Sequence, residues 1–421
     1  MRHMLNKSLN AALVASLALT LGACGKNEEA KSPASPTAAP AGKPEIKVIL
    51  GHVAPMTGPQ AHLGKDNENG ARLAIDELNA QNIEIGGAKV KFDLMAEDDQ
   101  SDPKQGTIVA QKLADAKVNG VVGHLNSGTT IPASKIYSDA GIPQISGSAT
   151  NPRYTQQGFK TTFRVMANDV QQGKALAQFA AKQGIKSVAV IDDRTAYGQG
   201  LADEFRKAAE SGGIKVVANE FTNDKATDFK AILTQIKSKK PDLVFFGGMD
   251  PQGAPMVKQM KELGIQAKFM GGDGVCTTDF PKNAGDAAEG HFCSLPGKPL
   301  EKLAKGPEFK AKFQKRFNAD IQLYAPYVYD ATMIMVDAMK RANSVEPAKF
   351  LPEIGKTKYD GVTALVEFDD KGDLKNGDIS FYQYKGGKLD YVETIGGSAA
   401  APAAAASVPA TPAATPAAEK K

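Results

Sequence analysis

Short apolar runs alternate with amphipathic segments of helical period through most of the chain, and this alternation constrains the fold more than any other feature. Residues 46–53, 90–96 and 187–191 are apolar runs of strand length, whereas residues 64–80 and 169–183 read as helices. Strands and helices in regular succession predict parallel sheets joined by right-handed crossovers. Because the pattern occurs in two blocks, we expect an α/β fold with two lobes that face each other across a cleft.

Two strands of the first block end in clusters of Gly, Ser and Thr. Residues 118–130 and 142–150 each begin as a buried apolar run and finish in such a cluster. A helix is expected over residues 131–140, which places Ser127 and Thr129 at its N-terminus. Free backbone N–H groups and the positive end of the helix dipole meet there.

The second cluster brings Ser148 and Thr150 to the same edge of the predicted sheet. Hydroxyl and N–H groups on two neighbouring loops are complementary to a carboxylate, so we interpret this edge as a binding site for one. An alternative stays open, because Ser and Thr are also favoured as ordinary helix N-caps.

The N-terminus has the pattern of an export signal. Arg2 and Lys7 precede an apolar run at residues 9–20, and small residues follow. Leu21-Gly-Ala-Cys24 resembles the bacterial lipoprotein box, in which the chain is cut before a cysteine that then receives lipid. We therefore expect a signal peptide at residues 1–23 and lipidation of Cys24, with an ordinary signal peptide cut nearby as the alternative.

Two further segments are too poor in large apolar residues to bury a core. Residues 24–44 and 396–421 consist largely of Ala, Pro, Ser, Thr and Lys, which predicts a disordered tether and a disordered tail. The length between them exceeds that of a typical single core and again favours two lobes.

Composition and motifs exclude several classes of function. The net charge is +4 over 421 residues, without a basic block interleaved with aromatics, so no nucleic-acid partner is expected. A second apolar run of membrane length is lacking, which leaves the predicted lipid anchor as the expected membrane attachment. Dinucleotide, Walker, nucleophile-elbow and HExxH motifs are absent, and no cofactor is expected.

Cys276 and Cys293 are the remaining cysteines. Export implies an oxidising compartment, where a pair of cysteines commonly forms a disulfide. Closing a loop of this size contributes roughly 3 kcal/mol in the chain-entropy model. Two free thiols or a metal site are the alternatives, but His291 is the only imidazole nearby and no four-ligand spacing occurs, so no metal is expected.

Eight short motifs in order resemble the branched-chain amino-acid-binding proteins, type I periplasmic binding proteins that supply ABC importers. The similarity extends from about Ile46 to Tyr391. The motifs are Gly51-His-Val-Ala-Pro-Met-Thr-Gly-Pro, Asp98-Asp-Gln-Ser-Asp-Pro-Lys, Val121-Val-Gly-His-Leu, Gly141-Ile-Pro-Gln-Ile-Ser, Ala196-Tyr-Gly-Gln-Gly, Phe269-Met-Gly-Gly-Asp-Gly, Tyr324-Ala-Pro-Tyr-Val-Tyr-Asp-Ala and Phe368-Asp-Asp-Lys-Gly-Asp.

This resemblance implies a specific fold and domain arrangement. Family members have two Rossmann-like lobes with parallel sheets, joined by a three-crossover hinge, and hold the ligand in the cleft between the lobes. By similarity, residues 45–166 and 297–360 form lobe 1, and residues 167–296 and 361–395 form lobe 2.

The resemblance also implies roles for individual residues. The positions of Ser127 and Thr150 hold the ligand α-carboxylate, while the Ser148 carbonyl and the Thr150 hydroxyl accept hydrogens from its α-ammonium. Asp273 stands at the position of the family's acidic partner for that ammonium. The alternative is that Asp273 only stabilises a Gly-rich turn. The full set of expected ligand-binding residues is Ser127, Thr129, Ser148, Ala149, Thr150, Tyr197, Asp273 and Tyr324.

Four positions bear on the choice of ligand. Tyr197 is expected to close over the ligand, and Tyr324 to form a wall of the pocket for its side chain. Asp273 is one methylene shorter than the Glu common in the family, and Leu63 replaces a frequent aromatic. These departures leave the amino-acid scaffold intact but reopen the identity of the amino acid.

The expected function is therefore that of a non-enzymatic receptor in the periplasm, anchored to a membrane through lipid. It captures a branched-chain or other small aliphatic amino acid and delivers it, as a monomer, to the permease subunits of an ABC importer. The alternatives are a sensory receptor of the same fold that binds amides, urea or aromatic acids, and a hydrolase using Ser127, for which no nearby base is evident.

Overall fold

The computed structural model describes residues 43–396. The predicted signal peptide at 1–23, the predicted lipidation site Cys24, and nearly all of the predicted tether and tail lie outside this range.

The first half of the described chain supplies a six-stranded sheet. Its strands are β1 (Glu45–Ala54), β2 (Glu84–Ile85), β3 (Ala88–Asp98), β4 (Gly120–Gly123), β5 (Gln144–Ser146) and β6 (Thr162–Arg164). They lie in the order β2-β3-β1-β4-β5-β6, and all neighbours are parallel except the β2–β3 pair.

A seven-stranded sheet and a two-stranded hairpin follow. Their strands are β7 (Ser187–Asp192), β8 (Lys215–Phe221), β9 (Leu243–Gly247), β10 (Lys268–Gly271), β11 (Phe292–Pro296), β12 (Lys358–Asp360), β13 (Leu365–Glu367), β14 (Ile379–Lys385) and β15 (Lys388–Ile395). The larger sheet has the order β15-β14-β11-β10-β9-β7-β8, with β14 and β15 antiparallel to their neighbours. The hairpin pairs β12 with β13.

Helices cover the sheets. The α-helices are α1 (Ala61–Ala80), α2 (Pro103–Asp115), α3 (Ser127–Asp139), α4 (Arg153–Gln156), α5 (Asp169–Lys182), α6 (Ala196–Ser211), α7 (Lys230–Lys239), α8 (Asp250–Glu262), α9 (Asp279–Ala284), α10 (Gly306–Phe317), α11 (Ala325–Arg341) and α12 (Pro347–Gly355). Short 3-10 helices lie at Asp273–Val275, Gly285–Ala288 and Leu300–Lys302. The central strands β4 and β9 are buried along their whole length, because helices shield both faces of a parallel sheet.

The chain passes between the two large sheets three times. It leaves the first sheet after β6, returns after β11 to pack α10 to α12 beside α1 and β4, and enters the second sheet again at β14. We call the first sheet with its covering helices α1 to α4 and α10 to α12 the first lobe, and the second sheet with α5 to α9 the second lobe. The predicted α/β fold is confirmed, whereas the exact predicted limits of the two lobes stay predictions.

A buried ion pair fastens one of these crossings. Arg164, at the end of β6, is fully buried and donates from Nε to Asp373 Oδ1 at 3.0 Å. Its Nη1 also donates to the carbonyls of Ala149 and Asn151, both at 2.9 Å. Asp373 further accepts a hydrogen bond from Asn168 at 3.0 Å. One guanidinium therefore joins the loop after β5 to the segment that leads into β14.

The predicted disulfide is confirmed, since Cys276 and Cys293 are bonded in the structure. It links the 3-10 turn after β10 to the neighbouring strand β11. Among residues 43–396, no helix combines the length and the apolar character that crossing a membrane would require.

Candidate functional site

The first predicted loop lies at the carboxyl end of β4. Helix α3 begins at Ser127, four residues earlier than the sequence pattern indicated, so Ser127 forms part of its first turn. Asn126 is the N-cap residue, but its side chain does not cap the helix. The Ser127 and Gly128 N–H groups have no acceptor within residues 43–396. This helix N-terminus can therefore donate to an anion.

The second predicted loop follows the neighbouring strand β5. Ser146 Oγ accepts from the backbone N–H groups of Ser148 at 3.3 Å and Ala149 at 2.9 Å, which folds the loop back over the strand end. Ser127 Oγ in turn accepts from the Asn151 N–H at 3.2 Å. The structure thus brings the two loops together at one edge of the sheet, as predicted.

Thr150 presents a buried hydroxyl at this edge. The residue is fully buried, and its Oγ1 forms no hydrogen bond with any residue of the described chain. Its carbonyl accepts from the Asp169 N–H at 2.9 Å, which ties the loop to the start of α5. A buried hydroxyl without a partner is costly, so Thr150 Oγ1 is a strong candidate for a ligand contact.

Thr129 does not join the other predicted residues through its side chain. Its Oγ1 donates to the Asn126 carbonyl at 3.1 Å, within its own helix. A Cβ atom placed on Gly106 of α2 would lie 2.8 Å from the Thr129 Cβ, so this side chain packs against α2. Its ligand-binding role stays a prediction.

Asp273 accepts hydrogen bonds from one tyrosine of each lobe. Tyr197, near the start of α6, donates from its hydroxyl to Oδ1 at 2.9 Å. Tyr324, which precedes α11, donates to Oδ2 at 2.7 Å. All three side chains are buried, and burial raises the pKa of Asp273 although the Tyr324 and Tyr197 hydroxyls oppose the shift. The carboxylate therefore lies where the two lobes meet.

The Gly-rich turn around Asp273 allows Tyr197 to come this close. A Cβ on Gly272 would lie 2.9 Å from the Tyr197 hydroxyl oxygen, and one on Gly274 would lie 2.8 Å from its ring. The Gly274 N–H donates to the same hydroxyl at 2.9 Å. Asp273 therefore does more than stabilise the Gly-rich turn, because both of its carboxylate oxygens accept hydrogen bonds from tyrosines.

The buried carboxylate of Asp66, on α1, holds the backbone around Tyr324 in place. Asp66 accepts from the backbone N–H groups of four consecutive residues, at distances between 2.7 and 3.0 Å. Burial raises the pKa of Asp66, while these N–H groups lower it. The donors are Gln322, Leu323, Tyr324 and Ala325.

Sequence reasoning missed Asp169. It is fully buried at the start of α5, and neither carboxylate oxygen has a hydrogen-bond partner among the described residues. Burial raises its pKa to about 8, and the Asp273 charge adds to this shift; the Thr150 hydroxyl lies close enough to oppose it, although the pair does not meet hydrogen-bond geometry. Asn168 already caps α5 by accepting from Val170 and Gln171. The sequence offered one signal for Asp169. Aspartate is a residue type favoured at helix N-caps, but here it follows Asn168, which already caps the helix.

The structure gives His124 a role that does not involve Ser127. Its Nδ1 lies 3.3 Å from Asp99 Oδ2, and its Nε2 lies 2.9 Å from the Tyr137 hydroxyl. Both ring nitrogens therefore contact other buried groups. The Ser127 hydroxyl instead accepts from the Asn151 N–H, which leaves the hydrolase alternative without an identified base.

The lobes touch at several points along the cleft. Asn151 Nδ2 donates to the Ala196 carbonyl at 2.6 Å, beside the two hydroxyl loops. His62 Nε2 lies 2.9 Å from Asp250 Oδ2, at the start of α8. Together with the Tyr324–Asp273 bond, these contacts define a closed arrangement of the two lobes.

A family model described as periplasmic binding protein matches residues 47–388. The chain belongs to the periplasmic binding protein family. The match covers most of both large sheets, ending where β15 begins, and it includes every predicted binding residue.

Relatives within the family carry amino-acid names. The Leu/Ile/Val-binding protein homolog 1 of Brucella abortus is 38% identical over 353 residues, which is 82% of this chain and 93% of that protein. The leucine-, isoleucine-, valine-, threonine-, and alanine-binding protein of Pseudomonas aeruginosa is 34% identical, over 80% of this chain and 90% of its own.

Solved structures with a similar fold also include amino-acid-binding proteins. The leucine-binding protein LivK of Thermotoga maritima superposes with a TM-score of 0.77 at 26% identity, covering 83% of this chain and 98% of that one. The substrate-binding protein LivJ of Streptococcus pneumoniae, solved with isoleucine, gives 0.76 at 27% identity and covers 83% and 100%. The chain therefore has the two-lobed fold of type I periplasmic binding proteins.

Proposed function

We propose that this protein binds a small aliphatic amino acid in its cleft, with the α-carboxylate on the hydroxyl loops and the α-ammonium beside Asp169 and Asp273. One observation carries the proposal: N–H donors without acceptors at the start of α3 and two buried carboxylates, Asp169 and Asp273, lie in the same cleft. An amino-acid zwitterion has the complementary pair of charges.

The carboxylate half rests on the first lobe. Two N–H groups at the start of α3 have no acceptor within the described chain, and the loops holding Ser127 and Thr150 are joined by a hydrogen bond from Asn151. A helix N-terminus favours an anion through both its N–H groups and its dipole.

The ammonium half rests on two carboxylates. Asp273 already accepts two tyrosine hydroxyls, whereas both oxygens of Asp169 are buried without partners among residues 43–396. A cation between them would offset the burial cost that raises both pKa values and the Asp273 charge that further raises the pKa of Asp169. Asp169 therefore complements Asp273, whose side chain is shorter than the Glu common in the family.

Apolar residues are proposed to line the part of the cleft that receives the ligand side chain, which favours an aliphatic one. Leu63 is fully buried, and Met249 is nearly so. A Cβ on Gly274 would lie 2.8 Å from the Met249 sulfur, which places this methionine beside the Gly-rich turn and Tyr197. A flexible thioether adapts to side chains of different shape, so several aliphatic amino acids fit this description.

The family assignment supports the further steps of the proposal. The closed protein, as a monomer without catalytic activity, passes its amino acid to the permease subunits of an ABC importer. It acts in the periplasm, held to a membrane through lipid on Cys24.

Thermal unfolding and calorimetry of residues 43–396 test the binding proposal. Leucine, isoleucine, valine, threonine and alanine are compared with 4-methylpentanoate, which lacks the ammonium, and isopentylamine, which lacks the carboxylate. A ligand at about 100 times its Kd adds roughly 2.7 kcal/mol of stability, which is seen as a raised Tm. We expect a shift with amino acids and none with either analogue.

Substitutions of the two aspartates test whether their carboxylates bind the ammonium group of the amino acid. Asp273→Asn and Asp169→Asn are each expected to weaken amino-acid binding by about 30-fold or more, because a buried charge partner of the ammonium is lost. Asp286→Asn, an exposed aspartate paired with Lys261, is the matched control and should bind like the wild type. Binding of 4-methylpentanoate as tight as that of leucine would contradict the ammonium assignment.

A further inference from the structure

His62 and Asp250 form a contact between the lobes that differs in kind from its neighbours. The hydrogen bonds from Asn151 to Ala196 and from Thr278 to Gln322 join neutral groups, and the Tyr324–Asp273 bond pairs a carboxylate with a neutral hydroxyl, so neither kind brings a basic group to an acidic one. His62 belongs to α1 of the first lobe and Asp250 to α8 of the second, and their Nε2 and Oδ2 atoms lie 2.9 Å apart. This bridge therefore couples protonation to the relative position of the lobes.

Asp250 lacks adequate compensation from its own lobe. Its side chain is 1% exposed, Oδ1 has no partner among the described residues, and Oδ2 accepts from the neutral Thr277 hydroxyl at 2.8 Å. The N-terminus of α8 offers partial positive charge. A buried carboxylate in this setting gains from a full cation, and His62 of the opposite lobe is the group placed to supply one.

The surroundings of His62 are acidic. Its side chain is 20% exposed, so solvent protons reach it. The charged groups that act on it are Asp250 and Asp279 of the second lobe and Asp66 of its own helix. Burial lowers the pKa of His62, but the hydrogen bond and the charge of Asp250, with the two other aspartates, raise it above 6.5 overall.

We infer that His62 and Asp250 act as a proton-dependent latch, which strengthens closure of the cleft, and hence solute binding, when His62 is protonated. The inference rests on the proposed binding of an amino acid between closing lobes. It assigns to His62 a role in affinity that does not require contact with the solute.

The direction of the pH dependence follows from linkage. When the lobes separate, His62 loses Asp250 and its pKa returns toward the ordinary value of 6.5. Closure therefore takes up protons between the open-state and the closed-state pKa. The contribution of the latch is complete below the open-state pKa and is lost as pH rises through the higher closed-state pKa.

Asp169 titrates in the opposite sense. Its pKa is raised to about 8 without a cation beside it, so binding of an ammonium releases a proton and favours high pH. The difference between wild type and a His62 variant, rather than the wild-type profile alone, therefore isolates the latch.

Calorimetric titration of residues 43–396 with isoleucine tests the inference, in wild type, His62→Gln and Asp250→Asn. Relative to His62→Gln, wild-type affinity should be roughly three- to tenfold higher near pH 5.5 and converge on it near pH 8.5. Buffers of different ionisation enthalpy should reveal proton uptake in wild type near pH 7 that both variants lack. Equal pH profiles in wild type and His62→Gln would overturn the latch.

His291→Gln is the matched control. Burial lowers the pKa of His291 to about 4, so this imidazole stays neutral over the same pH range and its removal should leave the pH profile unchanged. If none of the five amino acids binds, the proposed function fails, and the latch is judged by small-angle scattering instead. The radius of gyration of the protein without solute should then fall with decreasing pH in wild type but not in His62→Gln, and equal behaviour would refute the latch.

Discussion

Asp169 and Asp273 place two carboxylates in one buried part of the cleft, at positions 104 residues apart in the chain. Asp273 is stabilised by two tyrosine hydroxyls, whereas Asp169 has no hydrogen-bond partner among residues 43–396. Binding sites commonly retain such costly groups because the ligand supplies the missing partner. At the scale of single residues, the proposed site thus combines a buried carboxylate without partners, Asp169, with one that already accepts two hydrogen bonds, Asp273.

Asp169→Asn should change stability in a pH-dependent way. The folded pKa of Asp169 is raised to about 8 from an ordinary value of 3.8, so the folded form holds a proton that the unfolded form lacks between these values. Its contribution to wild-type stability therefore falls as pH rises through this window. We expect the stability of the variant relative to wild type to rise by roughly 2–4 kcal/mol between pH 5 and pH 8, because each pH unit in this window changes the difference by about 1.4 kcal/mol.

Urea unfolding of the solute-free protein at several pH values measures this difference. Asp286→Asn, at an exposed site, should show none. Free energies of unfolding of wild type and Asp169→Asn that stay parallel across the range would mean that Asp169 is already compensated in the folded protein.

Among the elements, the loop after β5 depends on a residue from the next strand. Arg164 of β6 holds the carbonyls of Ala149 and Asn151, on either side of Thr150, and also binds Asp373 near the third crossing. One buried guanidinium therefore both holds the loop after β5 in shape and binds that loop to the third crossing between the lobes. Its planar group with five donors suits this task better than an ammonium would.

Arg164→Met should destabilise the protein by about 3–5 kcal/mol, because Asp373 and two carbonyls would be left buried without their partner. Urea unfolding measures the loss. Arg164→Met combined with Asp373→Leu should recover part of it, because the uncompensated carboxylate is then also removed.

Lys182→Met provides the control for this prediction. Lys182 forms an ion pair with Glu393, but its side chain is 56% exposed. Removing an exposed pair should cost less than about 1 kcal/mol. Equal losses in the free energy of unfolding for Arg164→Met and Lys182→Met would show that the buried network stabilises the protein no more than an exposed ion pair does.

For the whole molecule, the side-chain hydrogen bonds that cross the cleft join polar groups of the two lobes, whereas apolar side chains pack each sheet against its helices. Tyr324 of the first lobe reaches Asp273 of the second, and Asn151 reaches Ala196. Polar contacts exchange readily for water, so the relative position of lobes is far easier to change than their interiors.

Solute binding should therefore compact the protein. A bound amino acid contacts both lobes and favours the closed arrangement in proportion to its extra affinity for that state. Small-angle scattering should show a smaller radius of gyration with saturating isoleucine than without it. Asp273→Asn, which loses a contact made on closure, should show a smaller change at the same concentration.

An unchanged radius of gyration in wild type, under conditions where calorimetry shows binding, would contradict closure on binding. It would leave the proposed binding itself intact.

The sequence determined the elements and the meeting of the two hydroxyl loops at one edge of the first sheet. Apolar runs of strand length alternating with helical periodicity specify parallel sheets, because each period sets which face is buried. The clusters at Ser127 and Thr150 were predictable for the same reason, since the carboxyl ends of neighbouring parallel strands meet at one edge. The contact between Thr129 and Gly106, by contrast, depends on how α2 packs against α3, which the local pattern does not specify.

Only the tertiary structure decided which distant groups meet. Tyr324 meets Asp273, and His62 meets Asp250 across 188 residues of sequence. Such pairs follow from three chain crossings and from the mutual position of two lobes, which no local periodicity encodes. The same holds for Asp169: its place in the sequence is that of an ordinary helix start, and burial without a partner makes it a candidate for ligand binding.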